Sequence, residues 1–238
     1  MKHSPAIKVA LVVPAYNEGQ VIGKVVKDLV DCFKASNYAY EVIVVDDGSK
    51  DDTAQAANDA GARVIQHVLN SGSGGATATG LSYAQQNGFD IATTSDADGQ
   101  HDATDVLRGV EALIATQNDL LVGSRLIDAA GMSRVKVLGN RGLSFITFIL
   151  FGINITDSQS GLRVFSRNAL DGLRWKTNGY EFCSEMLWRA KQAGLKIGEY
   201  PIKAIYTDYS KGKGQNNWNA FNIVKTLLAR RLVELFSE

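Results

Sequence analysis

Two carboxylates one residue apart, Asp96 and Asp98, follow a short run at Ile91–Ser95 that has the length of a strand. At a strand end both can turn toward one divalent cation. Oxygen donors of this kind suit Mg2+ or Mn2+, whose octahedral shells are completed by water and substrate phosphate. A cation held there would bridge diphosphate oxygens and neutralise the charge growing on a departing nucleotide. Gln100 adds a neutral oxygen, and His101 is an outer neighbour. An Asp-x-Asp standing alone is also a common solvated turn, so its company has to decide. Asp46 and Asp47 end a second apolar run and can accept bonds from a base or a ribose; Ser49 or Asp52 would equally serve to cap a following helix. The stretch 70–75, rich in Gly and Ser, either allows close backbone approach to a ligand or is a plain flexible loop. It lacks the lysine–serine pair of a P-loop. Gly123-Ser124-Arg125 adds a cation, which meets an anion in the site or forms an ion pair on the surface.

These groups depend on the elements that carry them, and strand-like and helix-like segments alternate from the start. Ile7–Val13 is apolar and β-branched, as a buried strand is. Val21, Ile22, Val25, Val26, Leu29, Val30 and Phe33 then recur at helical spacing, with Asn17 as the expected N-cap and Gln20 three residues on. Strands are expected at Glu41–Asp46, Arg63–Val68, Ile91–Ser95 and Asp119–Gly123. Helices are expected from near Asp52, at Gly75–Asn87 and at Ala103–Thr116. Strands joined by crossover helices imply an α/β fold with a largely parallel, doubly wound sheet. Ligands of such sheets gather beyond the carboxyl ends of the strands. Five connections would converge there: those carrying Pro14–Glu18, Asp46–Ser49, Asn70–Gly75, Asp96–His101 and Gly123–Arg125. The second half is less regular. Val137–Ile149 and Glu181–Ala193 read as helices, Leu162–Phe165 as a strand, and Ile197–Ile205 as an extended segment broken by Pro201. Trp218–Phe236 aligns Trp218, Phe221, Val224, Leu228, Leu232 and Leu235 on one helical face. The simplest division is one catalytic domain, 1–215, and a C-terminal amphipathic helix, 216–238.

Composition narrows the function classes. The 25 Lys and Arg balance 25 Asp and Glu, so bulk charge gives no attraction to nucleic acid. Cys32 and Cys183 are too few and wrongly spaced for a disulfide scaffold or a zinc site, and read as small apolar residues in a reducing compartment. No signal peptide is visible, and no stretch reaches the roughly 18 apolar residues of a spanning helix. The expectation is a cytoplasmic protein whose membrane contact is peripheral. Two segments could touch lipid: Leu143–Ile155, and the final helix with Lys225, Arg230 and Arg231 nearby. The final helix could instead dock on the core or a second subunit, and an integral-membrane partner subunit is a further candidate.

Val13-Pro14-Ala15-Tyr16-Asn17-Glu18, Val45-Asp46-Asp47-Gly48-Ser49 with Asp51 and Thr53, and Asp96-Ala97-Asp98-Gly99-Gln100-His101 resemble, in order, three signatures of glycosyltransferase family 2. The resemblance spans nearly the whole chain and implies the GT-A fold, a Rossmann-like, mostly parallel sheet flanked by helices. Gly123-Ser124-Arg125, Leu138-Gly139-Asn140-Arg141, Asp157-Ser158-Gln159-Ser160-Gly161-Leu162-Arg163 and Tyr180-Glu181-Phe182 with Glu185-Met186 resemble its dolichol-phosphate mannosyltransferase branch, which includes other polyprenyl-phosphate glycosyltransferases. The resemblance implies that Pro14, Tyr16, Glu18, Asp46 or Asp47, and Asp96 hold the nucleotide-sugar. It implies that Asp96, Asp98 and Gln100 hold Mg2+ or Mn2+ and the diphosphate. Arg125, with Arg134 or Lys136, would hold the acceptor phosphate, and Glu185 would line the sugar pocket. Asp98, Arg125 and Glu185 would carry the catalysis.

Two departures stand out. Ser73 occupies a place that is usually basic, and Lys211 and Lys213 stand in for a basic residue that often closes the site near the end. The implied reaction is an inverting, in-line displacement from a UDP- or GDP-linked sugar onto a dolichyl or undecaprenyl phosphate at the inner face of the membrane. Such an acceptor is anionic near neutral pH and needs orienting cations more than a base. A sugar or protein hydroxyl acceptor would instead call on Glu185 or Asp157 as base. An inactive nucleotide-sugar-binding module is a third reading, against which the intact Asp96-x-Asp98 argues. A nucleotidyltransferase would carry a Gly-rich, basic loop where Pro14–Glu18 stands. Glu181 and Glu185 share a helical face that could also be a solvated edge, and Asp157 and Arg163 are spaced to pair across a turn.

Overall fold

Along β1 (Lys8–Ala15), Val9, Leu11 and Val13 turn to one face of the sheet and Ala10 and Val12 to the other, and all five are buried. Burial on both faces is why the run is continuously apolar and not alternating. β2 (Ala39–Asp46) repeats the pattern, with Val42 and Val44 opposed to Ile43 and Val45. A computed structural model describes residues 6–129, 132–205 and 225. Its further strands are β3 (Arg63–Gln66), β4 (Ile91–Thr94), β5 (Leu120–Ser124), β6 (Arg163–Ser166) and β7 (Ile197–Pro201). Among the described residues they form one seven-stranded sheet in the order β3-β2-β1-β4-β6-β5-β7. Helices α1 (Ile22–Lys34), α2 (Thr53–Asp59) and α4 (Ala103–Thr116) pack on the face of Leu11. Helices α3 (Ser73–Gln86), α5 (Arg134–Phe151), α6 (Arg167–Gly172) and α7 (Phe182–Gln192) pack on the face of Val12.

The α/β, mostly parallel sheet is as expected, with one reversal. β6 pairs antiparallel to both β4 and β5, while every other pairing is parallel. The chain entering β6 therefore lies at the same edge as the carboxyl ends of β4 and β5. That places a sixth connection beside the five expected there.

Two local expectations are corrected. Asn17 does not cap α1, which starts at Ile22 with Val21 in the cap position and no side-chain cap bond. α5 is longer than Val137–Ile149 at both ends. Ser133 accepts the Lys136 N–H at its start, and Gly152 closes it at φ +63°. As expected, the extended segment breaks at Pro201, which ends β7, although the Ile202 N–H still reaches the Ser124 carbonyl at 3.1 Å. Cys32 and Cys183 are not joined in a disulfide. Among the described residues no helix is long and apolar enough to cross a membrane. The closing lysines Lys211 and Lys213 and the C-terminal helix, Lys225 apart, lie outside the described residues.

Candidate active site

The connections after β1 and β2 are sewn together. Asn17 sits at φ +54°, donates its N–H to Ser49 Oγ at 2.9 Å and accepts the Lys50 N–H on Oδ1 at 2.9 Å. The Glu18 N–H goes to Thr53 Oγ1 at 2.8 Å, and the Gly19 N–H to Asp51 Oδ2 at 3.0 Å. Asp52 takes the cap position of α2 without a side-chain cap bond, and the preceding Asp51 accepts the N–H of Thr53 at 3.1 Å. These bonds hold Pro14, the half-exposed Tyr16 and Glu18 in one place at the sheet edge.

Asp46 and Asp47 differ in their commitments. Asp46 accepts the Ser49 N–H at 3.1 Å and the Gln66 carboxamide at 3.2 Å. Asp47 accepts four bonds: from His67 Nδ1 at 2.7 Å, from the N–H and hydroxyl of Ser71 at 2.8 and 2.7 Å, and from the Gly72 N–H at 2.8 Å. Burial works against its charge, but these donors outweigh it and hold the carboxyl below its ordinary value. Asp47 therefore shapes the connection after β3. The glycines there approach the chain itself and not a ligand. A Cβ on Gly72 or Gly74 would stand 2.4 or 2.5 Å from the carbonyl oxygen of Asn178 or Thr177. Ser73, where a basic residue is usual, opens α3 directly behind Gly72.

The acidic pair stands at the end of β4. Asp98 Oδ1 accepts the Gln100 N–H at 3.0 Å, and Oδ2 accepts the Gln100 carboxamide N–H at 2.8 Å. Burial, then the Asp96 carboxylate, then Glu18 push the Asp98 carboxyl up to about 6. The charges of Asp96 and Glu18 thus act on Asp98, where the expected metal would sit. Among the described residues no cluster of three or more His, Cys, Asp or Glu is arranged to hold a metal ion. His101 is buried, and burial holds it below its ordinary value, hence neutral. Its Nδ1 accepts the Asp96 N–H at 3.1 Å, which leaves the proton on Nε2. That atom has no hydrogen-bond partner, and it lies 3.7 Å from Asp96 Oδ2.

The reversed strand β6 delivers what the sequence had not placed. Gly161 lies against Asp96, where a Cβ would stand 2.2 Å from Oδ1. Asp157, fully buried, binds Arg125 through Nε at 2.7 Å, Nη2 at 3.0 Å and the backbone N–H at 3.2 Å. Glu199 of β7 accepts the N–H groups of Thr156 and Asp157, and so fixes the segment. Asp157 is thus the partner of Arg125, not of Arg163. Arg163 is buried, donates to the carbonyls of Ser158 and Ser160, and covers the Phe182 ring.

Glu185 is turned into the protein. It is 1% exposed, and its carboxylate accepts the N–H groups of Lys176 and Thr177 at 3.1 and 2.8 Å and the Thr177 hydroxyl at 2.6 Å. It braces the segment that carries Tyr180. That phenol, unassigned from the sequence, is raised by packing and by the nearby Asp96, Cys183, Asp98 and Glu18. Arg134 and Lys136 are exposed on the first turn of α5.

Glu18, Asp96, Asp98 and Tyr180 are therefore one group, with Arg125 and Asp157 close enough to act on the same His101. A family model, Glycosyl transferase family 2, matches residues 10–174. The chain is 42% identical over 245 aligned positions to a UDP-N-acetylglucosamine–dolichyl-phosphate N-acetylglucosaminyltransferase of Methanococcus voltae, covering 93% of this chain and 95% of that one. It is 29% identical to an undecaprenyl-phosphate mannosyltransferase of Micrococcus luteus, over 87% of each chain. Glucosyl-3-phosphoglycerate synthase of Mycobacterium tuberculosis, solved with Mn2+, UDP and glucosyl-3-phosphoglycerate, superposes with a TM-score of 0.73. It is 20% identical, over 96% of this chain and 79% of that one, and so supports the fold alone. All three signatures and the groups they bring to the sheet edge fall within the matched span, and the chain belongs to glycosyltransferase family 2 and is a glycosyltransferase.

Proposed function

We propose that the protein transfers a sugar from a UDP- or GDP-linked donor to a polyprenyl phosphate, working as a peripheral enzyme on the cytoplasmic, inner face of a membrane. One observation carries this: an acidic pair after β4 and a guanidinium after β5, clamped by Asp157, share one sheet edge. The first suits a diphosphate, the second an anionic acceptor. The likeness to two polyprenyl-phosphate transferases supports that acceptor class, and the 42% relative supports a UDP-linked donor.

The donor set fits Mg2+ or Mn2+. It offers only oxygens, from Asp96, Asp98 and Gln100, and the raised Asp98 marks excess negative charge that a divalent ion would offset. Such an ion, when bound, draws charge off the departing diphosphate. Pro14, Tyr16, Glu18 and Asp46 hold the nucleotide, while Asp47 keeps the neighbouring connection in shape. Arg125, with Arg134 and Lys136, orients the acceptor phosphate. An acceptor oxygen bonds to the anomeric carbon as the carbon–oxygen bond to the diphosphate breaks. The electron pair leaves with the diphosphate and configuration inverts. The acceptor is already ionised, so no proton has to move. Glu185 acts by bracing 176–177. A hydroxyl acceptor would need Glu185 or Asp157 as base, and the bonds that occupy both carboxylates weigh against it.

The test is incubation with Mg2+ or Mn2+, a panel of UDP- and GDP-sugars and a short polyprenyl phosphate. Glycolipid from one donor supports the proposal and names the sugar. Donor hydrolysis without glycolipid would redirect it to another acceptor.

A further inference from the structure

A groove of about 340 Å3 opens between α5 and the segment leading to β6, at the lower end of the roughly 300–1,000 Å3 of ligand pockets. Leu126, Phe145, Phe148 and Ile155 line it, with Arg141 and Thr156. Two of its residues flank the candidate site in the chain: Leu126 follows Arg125, and Thr156 precedes Asp157. The groove thus begins one residue along the chain from each half of the Arg125–Asp157 clamp.

Its polar groups are mostly spoken for. The Thr156 hydroxyl is bound to Ser124 Oγ at 2.6 Å and to Glu199 at 2.8 Å. The Ser144 hydroxyl, on the same wall, is bonded to Ser158. Arg141 differs, being exposed and in no ion pair with a described residue. α5 has no acidic residue to neutralise it. Phe145 and Phe148 are 60% and 48% exposed, although rings of that size are ordinarily covered. A sugar or a base would ask for several convergent polar partners. A hydrocarbon chain with one anionic end asks for apolar walls and a cation.

We propose that this groove receives the first isoprene units of the acceptor, and that Arg141 adds a cation to its phosphate. The chain lies against Phe145, Phe148, Ile155 and Leu126. This rests on the polyprenyl-phosphate function proposed above.

The experiment uses the full chain, a productive donor, and detergent-free prenyl phosphates of one, two and three isoprene units. The wild-type KM for acceptor should fall with each added unit. Phe148→Ser, and separately Phe145→Ser, should erase that dependence and raise KM for the three-unit acceptor about tenfold, as loss of a buried aromatic anchor does. Arg141→Gln should raise KM for every length by a similar factor. The donor KM is the internal reference, and thermal melts check the fold of each variant. If the wild type refuses every prenyl phosphate, the proposed function fails and the groove with it. If it accepts them and both Ser variants keep the chain-length dependence, the groove proposal is overturned and the function stands. If the variants lose only flotation with anionic vesicles, the face is a bilayer contact and the proposal is likewise overturned.

Discussion

Replacing Asp98 by Asn should make the protein more stable and inactive. Burial, Asp96 and Glu18 lift the Asp98 carboxyl from 3.8 to about 6. A carboxyl raised on folding holds its proton better in the native state than in the unfolded one. Stability is therefore full below the unfolded value, falls as pH climbs toward about 6, and is level above that. At about 1.4 kcal/mol per pH unit, ionised Asp98 costs about 3 kcal/mol near neutral pH. Asparagine keeps the shape and one acceptor oxygen for the Gln100 N–H. The bond from the Gln100 carboxamide is weakened, a loss of about 1 kcal/mol. The net expectation is a gain of about 2 kcal/mol for Asp98→Asn at neutral pH in chelator, vanishing near pH 4. Urea unfolding across that range, with chelator and with Mn2+, measures it. Mn2+ should stabilise the wild type by linkage and leave the variant unmoved. Turnover should vanish. A variant less stable than the wild type at neutral pH in chelator would refute the charge-strain reasoning.

Gly161→Ala forces the Asp96 carboxylate to turn away, since its Cβ would stand 2.2 Å from Oδ1. Urea unfolding should move by less than about 1 kcal/mol, while Mn2+ affinity measured by titration should drop about 10–100-fold. Arg125→Ala should cost about 3–5 kcal/mol in urea unfolding, because it leaves the fully buried Asp157 charge without its partner. Glu185→Ala should cost about 3 kcal/mol by orphaning the donors of Lys176 and Thr177, with Glu185→Gln recovering most of it. Equal loss of turnover in both Glu185 variants, with stability intact, would make Glu185 a catalytic base.

The sheet edge was legible because its strands are buried on both faces. Continuous apolar runs such as Val9–Val13 and Val42–Val45 mark where each strand ends, and Asp96, Asp98 and Arg125 follow from that. Strand direction was not legible. Four residues at Arg163–Ser166 carry no signal that they insert backwards between β4 and β5. Without that reversal Asp157 has only its chain neighbour Arg163 as an obvious partner, and Gly161 has no reason to touch Asp96. Close packing was also hidden. Gly72 and Gly74 are as consistent with a ligand as with the 177–178 backbone, because the same absence of a side chain serves both. Asn17 stands just before an apolar period, as a cap does, but its left-handed φ spends its side chain on Lys50. Glu185 shares its helix with Phe182 and Met186, and only the fold reveals that it too turns inward.

Local costs collect among the connections at this sheet edge. Asp98 is ionised against its surroundings, and His101 Nε2 is buried with no hydrogen-bond partner. Asn17 has a left-handed backbone. Gln117 shares that feature, but it ends α4, where a left-handed residue is common. The raised Asp98 carboxyl is a cost that one component of the proposed reaction would relieve, since a divalent cation would offset its charge. A fold selected for stability alone would have replaced Asp98, for which asparagine is a cheap substitute. On the proposed function, the strain at Asp98 points to the binding of a metal–diphosphate at this edge.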